Sequence, residues 1–343
     1  AANQAKFHRL VALTMLGVVG LALCITFAWF SAPDLALTQL TVEVVTLVLF
    51  LLGLRWMPRR VEQDDPRTAG RAWWRRRRDL VLAAAIGVGL SALSYALLTR
   101  HAPLSISPFF LEKALPEGGG TNVVNVMLVD FRAFDTLGEI TVLGVVGITV
   151  YALLRRFRPA REAIEPTDQQ RVPAEVAGAD IVDPDGDGDD HLPPYLEVPA
   201  VLARLLLPVA GLFAFHLFMR GHNEPGGGFV AGLVVAIAFI AQYMFSGTRW
   251  VESRLHLMPT RWIAFGLLVA LATGLGALAL GHPFLTTHTA HVTWPLVGEV
   301  HLPTAALFDL GVFAVVVGST LLLLIAIAHQ SLRARRLQGL SAV

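Results

Sequence analysis

The apolar positions of this chain fall in long blocks, not in the 3.6-residue stripe of a surface helix or the alternation of a half-buried strand. Eight blocks are long enough to cross a hydrocarbon core, which takes about 17–25 helical residues. They lie at 10–30, 34–54, 80–99, 137–154, 200–218, 229–245, 262–281 and 305–328. The pattern predicts an all-α membrane protein of about eight transmembrane helices.

One segment breaks the pattern. Residues 156–198 are polar, rich in Pro and Asp, and without apolar periodicity, which predicts a linker between two four-helix halves, 1–155 and 199–343. In its run DPDGDGDD, Asp183, Asp185, Asp187 and Gly188 have calcium-loop spacing, but Pro194 stands where the bidentate Glu is needed. Two further non-apolar segments lie on the opposite side. The first, 100–135, predicts a short interfacial helix over 123–131 with Asn122, Asn125 and Arg132 towards water. The second, 282–304, contains HVTWPLVGEVHLP, which predicts a small hairpin turning at Val297-Gly298. Its His282, His288, His291 and His301 have only Glu299 nearby as a further ligand, so a solvated loop is favoured and no metal site is expected.

Composition agrees: 55% of residues are hydrophobic, 15% are charged, and the mean hydropathy is +0.60. A secretory signal is a poor reading of residues 1–30, because no small-residue cleavage pattern precedes the second span. The absent initiating Met suggests a fragment or a processed chain. Cys24, the only cysteine, lies in the first span, so neither an internal disulfide nor a thiolate cluster is available. Charge placement sets orientation. With the N-terminus inside, the outer segments carry only Arg100, Lys113, Arg132 and Arg220, and nearly all the other basic residues of the 27 fall on inner segments. The N-terminus, linker and C-terminus are therefore expected in the cytoplasm of a bacterial cell, with the spans in its inner membrane. RAWWRRRR at 71–78, placed between two spans, reads as a topology anchor with interfacial Trp, and no nucleic-acid partner is expected.

Chemistry is concentrated at a few polar positions. Glu43 sits near the middle of the second span, where an ionisable group costs roughly 2.5–3.5 kcal/mol on insertion scales. At 100° per residue Gln39, Glu43 and Thr46 form one narrow stripe, and Asp34, after Pro33, falls on the opposite face. Either Glu43 exchanges a proton or a partly dehydrated cation on a wet path, or it is a buried, protonated carboxyl bonded to another helix; its depth favours transport. Asp34 at a helix start fits a cap. Glu139 in TLGE fits a capping box with Thr136. In FHLFMRGHNEPGGGFVAGL, His216, His222, Asn223 and Glu224 surround a sharp turn, with Pro225 suited to a helix first turn. No Lys-Ser/Thr follows the glycines, so this is no phosphate loop. Asp309 lies five residues into the last span, too deep for an easy cap.

These segments resemble known ones. APDLALTQLTVEVVTLVLFLLGL and GTNVVNVMLVDFRAFDTLGEITVLGVVGITVYALL look like the C-terminal portion of the large A subunit of Mrp-type multisubunit sodium/proton antiporters. FHLFMRGHNEPGGGFVAGLVVAIAFI, with FDLGVFAVVVGS, resembles their B subunit. The resemblance covers roughly 9–155 and 199–328 and implies an A-type tail joined to a B-type module. It implies secondary antiport of Na+ against H+ within a complex of several different subunits, with no resident cofactor and no enzyme activity. It places Glu43 and Glu139 at acidic positions along an ion path. The long antiporter-like region of the large A subunit has no counterpart here, so partner subunits are expected to be needed for transport. Related modules in membrane-bound hydrogenases and relatives of respiratory complex I leave two alternatives: a coupling module of a redox complex, and a non-conducting scaffold.

Overall fold

The computed structural model describes residues 9–54, 66–100, 104–156, 197–255, 257–294 and 298–341. The calcium-like run, nearly all of the linker, and residues 295–297 at the hairpin turn lie outside them. Among the described residues, eight helices are long and apolar enough to cross a membrane. The order is α1 (Arg9–Trp29), α2 (Pro33–Leu54), α3 (Pro66–Thr99), the short α4 (Ser107–Lys113) and α5 (Val123–Val126), then a π-turn (Met127–Phe131) and α6 (Ala133–Arg156). After the linker come α7 (Glu197–Arg220), α8 (Gly228–Ser246), the short α9 (Thr248–Arg254), α10 (Pro259–Ala279), β1 (Thr289–Trp294), β2 (Gly298–Pro303) and α11 (Ala305–Ser341).

Contacts group residues 1–57 and 110–343 into one unit and 58–109 into another. In the larger unit α11 is the most buried span. It packs against α10, α8 and α6. Small residues permit this: a Cβ on Gly266 of α10 would meet the Gly311 carbonyl of α11 at 2.5 Å. Phe308, Val315, Val316, Leu321 and Leu324 of α11 are all but fully buried. α1 packs on α2, and α7 on α8. The predicted halves are not separate bodies, since α2 packs on α8 and α6 packs on α11. In the smaller unit α3 continues upstream of its predicted span through the arginine run, where Trp73 and Trp74 meet edge-to-face and the Arg77 guanidinium lies 4.0 Å from the Trp73 ring.

Four local expectations change. Asn122 and Asn125 face inward and are buried, while Val124 is exposed, so the short helix turns its amides to protein instead of water. For Asn122 the cause is hydrogen bonding, described below. α6 begins at Ala133, so Thr136 and Glu139 are already inside the helix and make no capping box; the Thr136 hydroxyl donates to the Leu128 carbonyl at 2.7 Å across the π-turn. α8 begins at Gly228, not Pro225, because the φ of +95° at Gly227 sets the break. The hairpin is present, but Gly298 pairs with Trp294 and belongs to β2. Its register sets His291 opposite His301.

Candidate functional site

The GHNEPGGG turn between α7 and α8 pairs some of its amides locally, Asn223 and Glu224 with the Arg220 carbonyl and Gly227 with that of Leu217, but its Gly226 and Gly228 amides and several carbonyls take partners from elsewhere. Residues from three distant segments supply the partners. The Asn122 amide donates to both Asp34 carboxylate oxygens at 3.2 Å and to the Gly221 and Glu224 carbonyls at 3.1 Å. Asp34 accepts in turn from the Gly226 amide at 3.1 Å. Its position at the start of α2 gave the expectation of a cap; its carboxylate instead ties α2 to the turn.

The segment before α5 completes this joint. Asn122 N–H donates to the His222 carbonyl at 3.1 Å, and the Thr121 hydroxyl donates to the Asn223 carbonyl at 2.9 Å. His222 Nε2 lies 2.8 Å from the Gly118 carbonyl. Glu224 pairs with Arg220 at 3.3 Å, and Arg220 Nε donates to the Pro225 carbonyl at 3.0 Å. His222, Asn223 and Glu224 thus all belong to the joint. His216, grouped with them in the sequence, is exposed on α7. A side chain at Gly120 would overlap His222, so this approach requires glycine.

Asp309 holds the other side. Its Oδ2 accepts from the Gly228 amide at 2.7 Å, at the first residue of α8. The carboxylate meets the partial positive charge of that helix terminus. It is therefore a cap, but of a neighbouring helix reached from inside α11, which local spacing could not reveal. Beside the joint, Asp130 Oδ1 accepts from Thr287 N–H at 3.0 Å and so fastens the π-turn to the segment before β1. Burial raises the Asp130 pKa above the ordinary carboxylate value, and burial lowers that of His222.

Glu43 lies about 13 Å further along α2 from Asp34, at roughly 1.5 Å per residue. Its half-buried carboxylate rests in a notch of α1 made by Gly17 and Gly20; a Cβ on Gly20 would overlap it. Gln39 Nε2 donates to Glu43 Oε2 at 3.4 Å, so two members of the predicted stripe touch. The third, Thr46, spends its hydroxyl on the Val42 and Glu43 carbonyls of its own helix at 2.9 and 3.2 Å. Glu139 is exposed on α6, inside a candidate span and apart from Glu43's notch. Among the described residues, no group of three or more His, Cys, Asp or Glu is placed to hold a metal ion.

Three family models match successive stretches of the chain. Residues 1–59 match the MbhD family, the D subunit of MBH, and 74–171 match the MbhE family, the E subunit of MBH. Residues 198–322 match the MnhB family, described as a "Domain related to MnhB subunit of Na+/H+ antiporter". A probable K(+)/H(+) antiporter A/B subunit of Rhizobium meliloti is 54% identical over all of this chain, which spans 34% of that relative. The Na(+)/H(+) antiporter A subunit of Bacillus subtilis is 40% identical over 43% of the chain, a stretch that makes up 18% of that protein. The Na(+)/H(+) antiporter B subunit of Alkalihalophilus pseudofirmus is 39% identical over 38% of the chain and is 91% covered. Among solved structures, the Mrp complex from Dietzia sp. DQ12-45-1b has a chain that superposes with a TM-score of 0.74 at 33% identity, covering 94% of this chain and 33% of that one. The chain spans about a third of the fused relative and a smaller part of the Bacillus A subunit. With its multiple apolar helices and this combined similarity, it is a multi-pass membrane protein that belongs to the Mrp-type multisubunit antiporter family, joining an A-like segment to a B-like one.

Proposed function

We propose that this chain is a membrane subunit of a multisubunit cation/proton antiporter, a transporter component and not an enzyme, which lends one carboxylate station to the ion path and holds the A-like and B-like modules together. The observation that carries the reading is Glu43. A carboxylate within a span, seated in a glycine notch and beside an amide, can hold a proton or a partly dehydrated monovalent cation. The transported ions are cargo, and we propose no resident cofactor. The relatives are named for either Na+ or K+, so the exchanged cation is an alkali ion, H+ moving in the opposite direction.

The partners we propose are other antiporter subunits. Glu139 supports this, because a carboxylate left facing lipid within a span is costly and calls for a covering helix. α3 exposes large apolar side chains all along its span, as a helix made to be covered does. The modules are 1–155 and 199–343, separated by a cytoplasmic linker at 156–198. The membrane is the bacterial inner membrane, and both termini lie in the cytoplasm. The alternative is a coupling module of a hydrogenase-like redox complex; nickel, iron and flavin in the purified complex would establish it.

The test is Glu43→Gln in the assembled complex, assayed for Na+/H+ and K+/H+ exchange in everted vesicles. Gln is nearly isosteric but neither titrates nor carries charge. Exchange should collapse while the subunits still co-purify, and Glu43→Asp should keep part of the activity. Full exchange in Glu43→Gln would leave the scaffold reading in front.

A further inference from the structure

A cavity of about 500 Å³ lies at the other end of the bundle from the joint, and its lining includes Tyr151, Tyr243, Glu252, Thr260, Arg261 and His329. Along α11, His329 is about 30 Å beyond Asp309. This is the end at which α6 runs into the linker and α7 returns from it. Inside the cavity His329 Nε2 lies 2.7 Å from Glu252 Oε1, and the Tyr243 hydroxyl donates to the same oxygen at 3.5 Å. Both ionisable side chains are 36% exposed, so water and ions reach them.

We propose that Glu252 and His329 form a proton–cation exchange site at the linker-side mouth of the antiporter, in which one carboxylate balances either a proton on His329 or an alkali cation. The proposal rests on the antiporter reading. With His329 protonated, the imidazolium and the carboxylate neutralise each other. When the imidazolium N–H gives its proton to water, Glu252 is left with an unbalanced negative charge, and Na+ or K+ entering the cavity restores neutrality. One proton leaves as one cation arrives, so the net charge of the site is the same in both states. The Tyr243 hydroxyl lies beside the carboxylate and Thr260 also lines the cavity, both carrying oxygens that can face a cation, and a cavity this large lets the ion keep most of its water.

The charged and titratable neighbours differ by element. α8 contributes Tyr243, α6 contributes Tyr151, and α10 contributes Arg261. On α9 itself Arg254 lies over the Trp250 ring at 5.5 Å. The Arg261 guanidinium opposes cation binding and favours release, as a transport mouth requires. A surface ion pair kept for stability is the competing explanation, and such exposed pairs contribute little to stability.

The experiment measures the apparent KM for NaCl and for KCl, against choline chloride, in everted vesicles carrying the assembled complex across the range from about pH 6 to pH 8. In the wild type KM should fall several-fold as pH rises, since protons and cations compete for Glu252. His329→Gln should flatten that dependence while subunits still co-purify. Glu252→Gln should raise KM several-fold at high pH, and Glu252→Asp should restore part of it. If Glu252→Gln fails to assemble, His329→Gln decides. Wild-type pH dependence of KM in His329→Gln would overturn the exchange site and leave the antiporter reading standing. Absence of Na+ and K+ exchange in the wild-type complex would overturn both.

Discussion

The Asp34 carboxylate accepts a hydrogen bond from the Gly226 amide, 192 residues further along the chain, at 3.1 Å. Through it the first half of the molecule supplies an acceptor that the glycine turn of the second half lacks. Asp309 does the same for Gly228. Two carboxylates from two helices therefore seat the start of α8, and Asn122 bridges Asp34 to the turn's carbonyls.

Removing either side of this joint should loosen it. A hydrogen bond to a charged group is worth about 1.5–3 kcal/mol. Asp34→Ala is expected to lower the melting temperature of the purified complex, and Asn122→Ala to do likewise. In a double-mutant cycle the two losses should be non-additive, because both variants remove the bonds between Asn122 and Asp34. Additive losses would show that Asp34 and Asn122 act separately.

Gly20 is the second point of test. A methyl group there overlaps the Glu43 carboxylate, whereas one at Gly53 meets nothing within 4 Å. Both Gly→Ala changes favour the helical backbone. Gly20→Ala should depress cation/proton exchange without loss of assembly, and Gly53→Ala should be close to silent. Equal activity in both variants would mean that the notch does not position Glu43.

The joint should weaken in acid. Burial lowers the His222 pKa, so the folded protein holds the neutral ring more tightly than the unfolded chain does. The stability this contributes is complete above the ordinary value near 6.5 and is lost as pH falls through the lower folded-state value. Asp130 runs the other way: its raised pKa gives a contribution present at low pH and lost as pH rises through the folded-state value. Melting temperature followed from about pH 7 downwards should fall more steeply in wild type than in His222→Gln. Identical slopes would remove His222 from the acid response.

Orientation follows from charge. A single cysteine placed within 156–198, in a Cys24→Ser background, should react with impermeant thiol reagents in everted vesicles and not in intact cells. Labelling in intact cells would invert the proposed topology. The described joint lies at the opposite end of the bundle, so cleavage of the linker should leave the two modules associated.

The number of spans, the all-α class and the hairpin were legible from sequence because each depends on a local property. About 20 apolar residues cross a bilayer wherever they occur, and alternation around a turn pairs with itself. Glu43 and Gln39 were legible for the same reason, being one helical turn apart. The bonds made by Asp34, Asp309 and Asn122 were not. Asp34 resembles a helix-start residue in one dimension and Asp309 one set too deep to cap its own helix, yet each bonds to a backbone amide in a segment remote in sequence, and a glycine amide has no side chain to announce it. Asn122 and Asn125 looked like a water-facing edge because polarity alone does not distinguish water from an unsatisfied turn. Sequence by itself determined which segments enter the membrane, since that depends on the chain's own transfer free energy. Only tertiary structure decided which polar groups meet inside the bundle, since in a bilayer every backbone group without a local partner must find one on another segment.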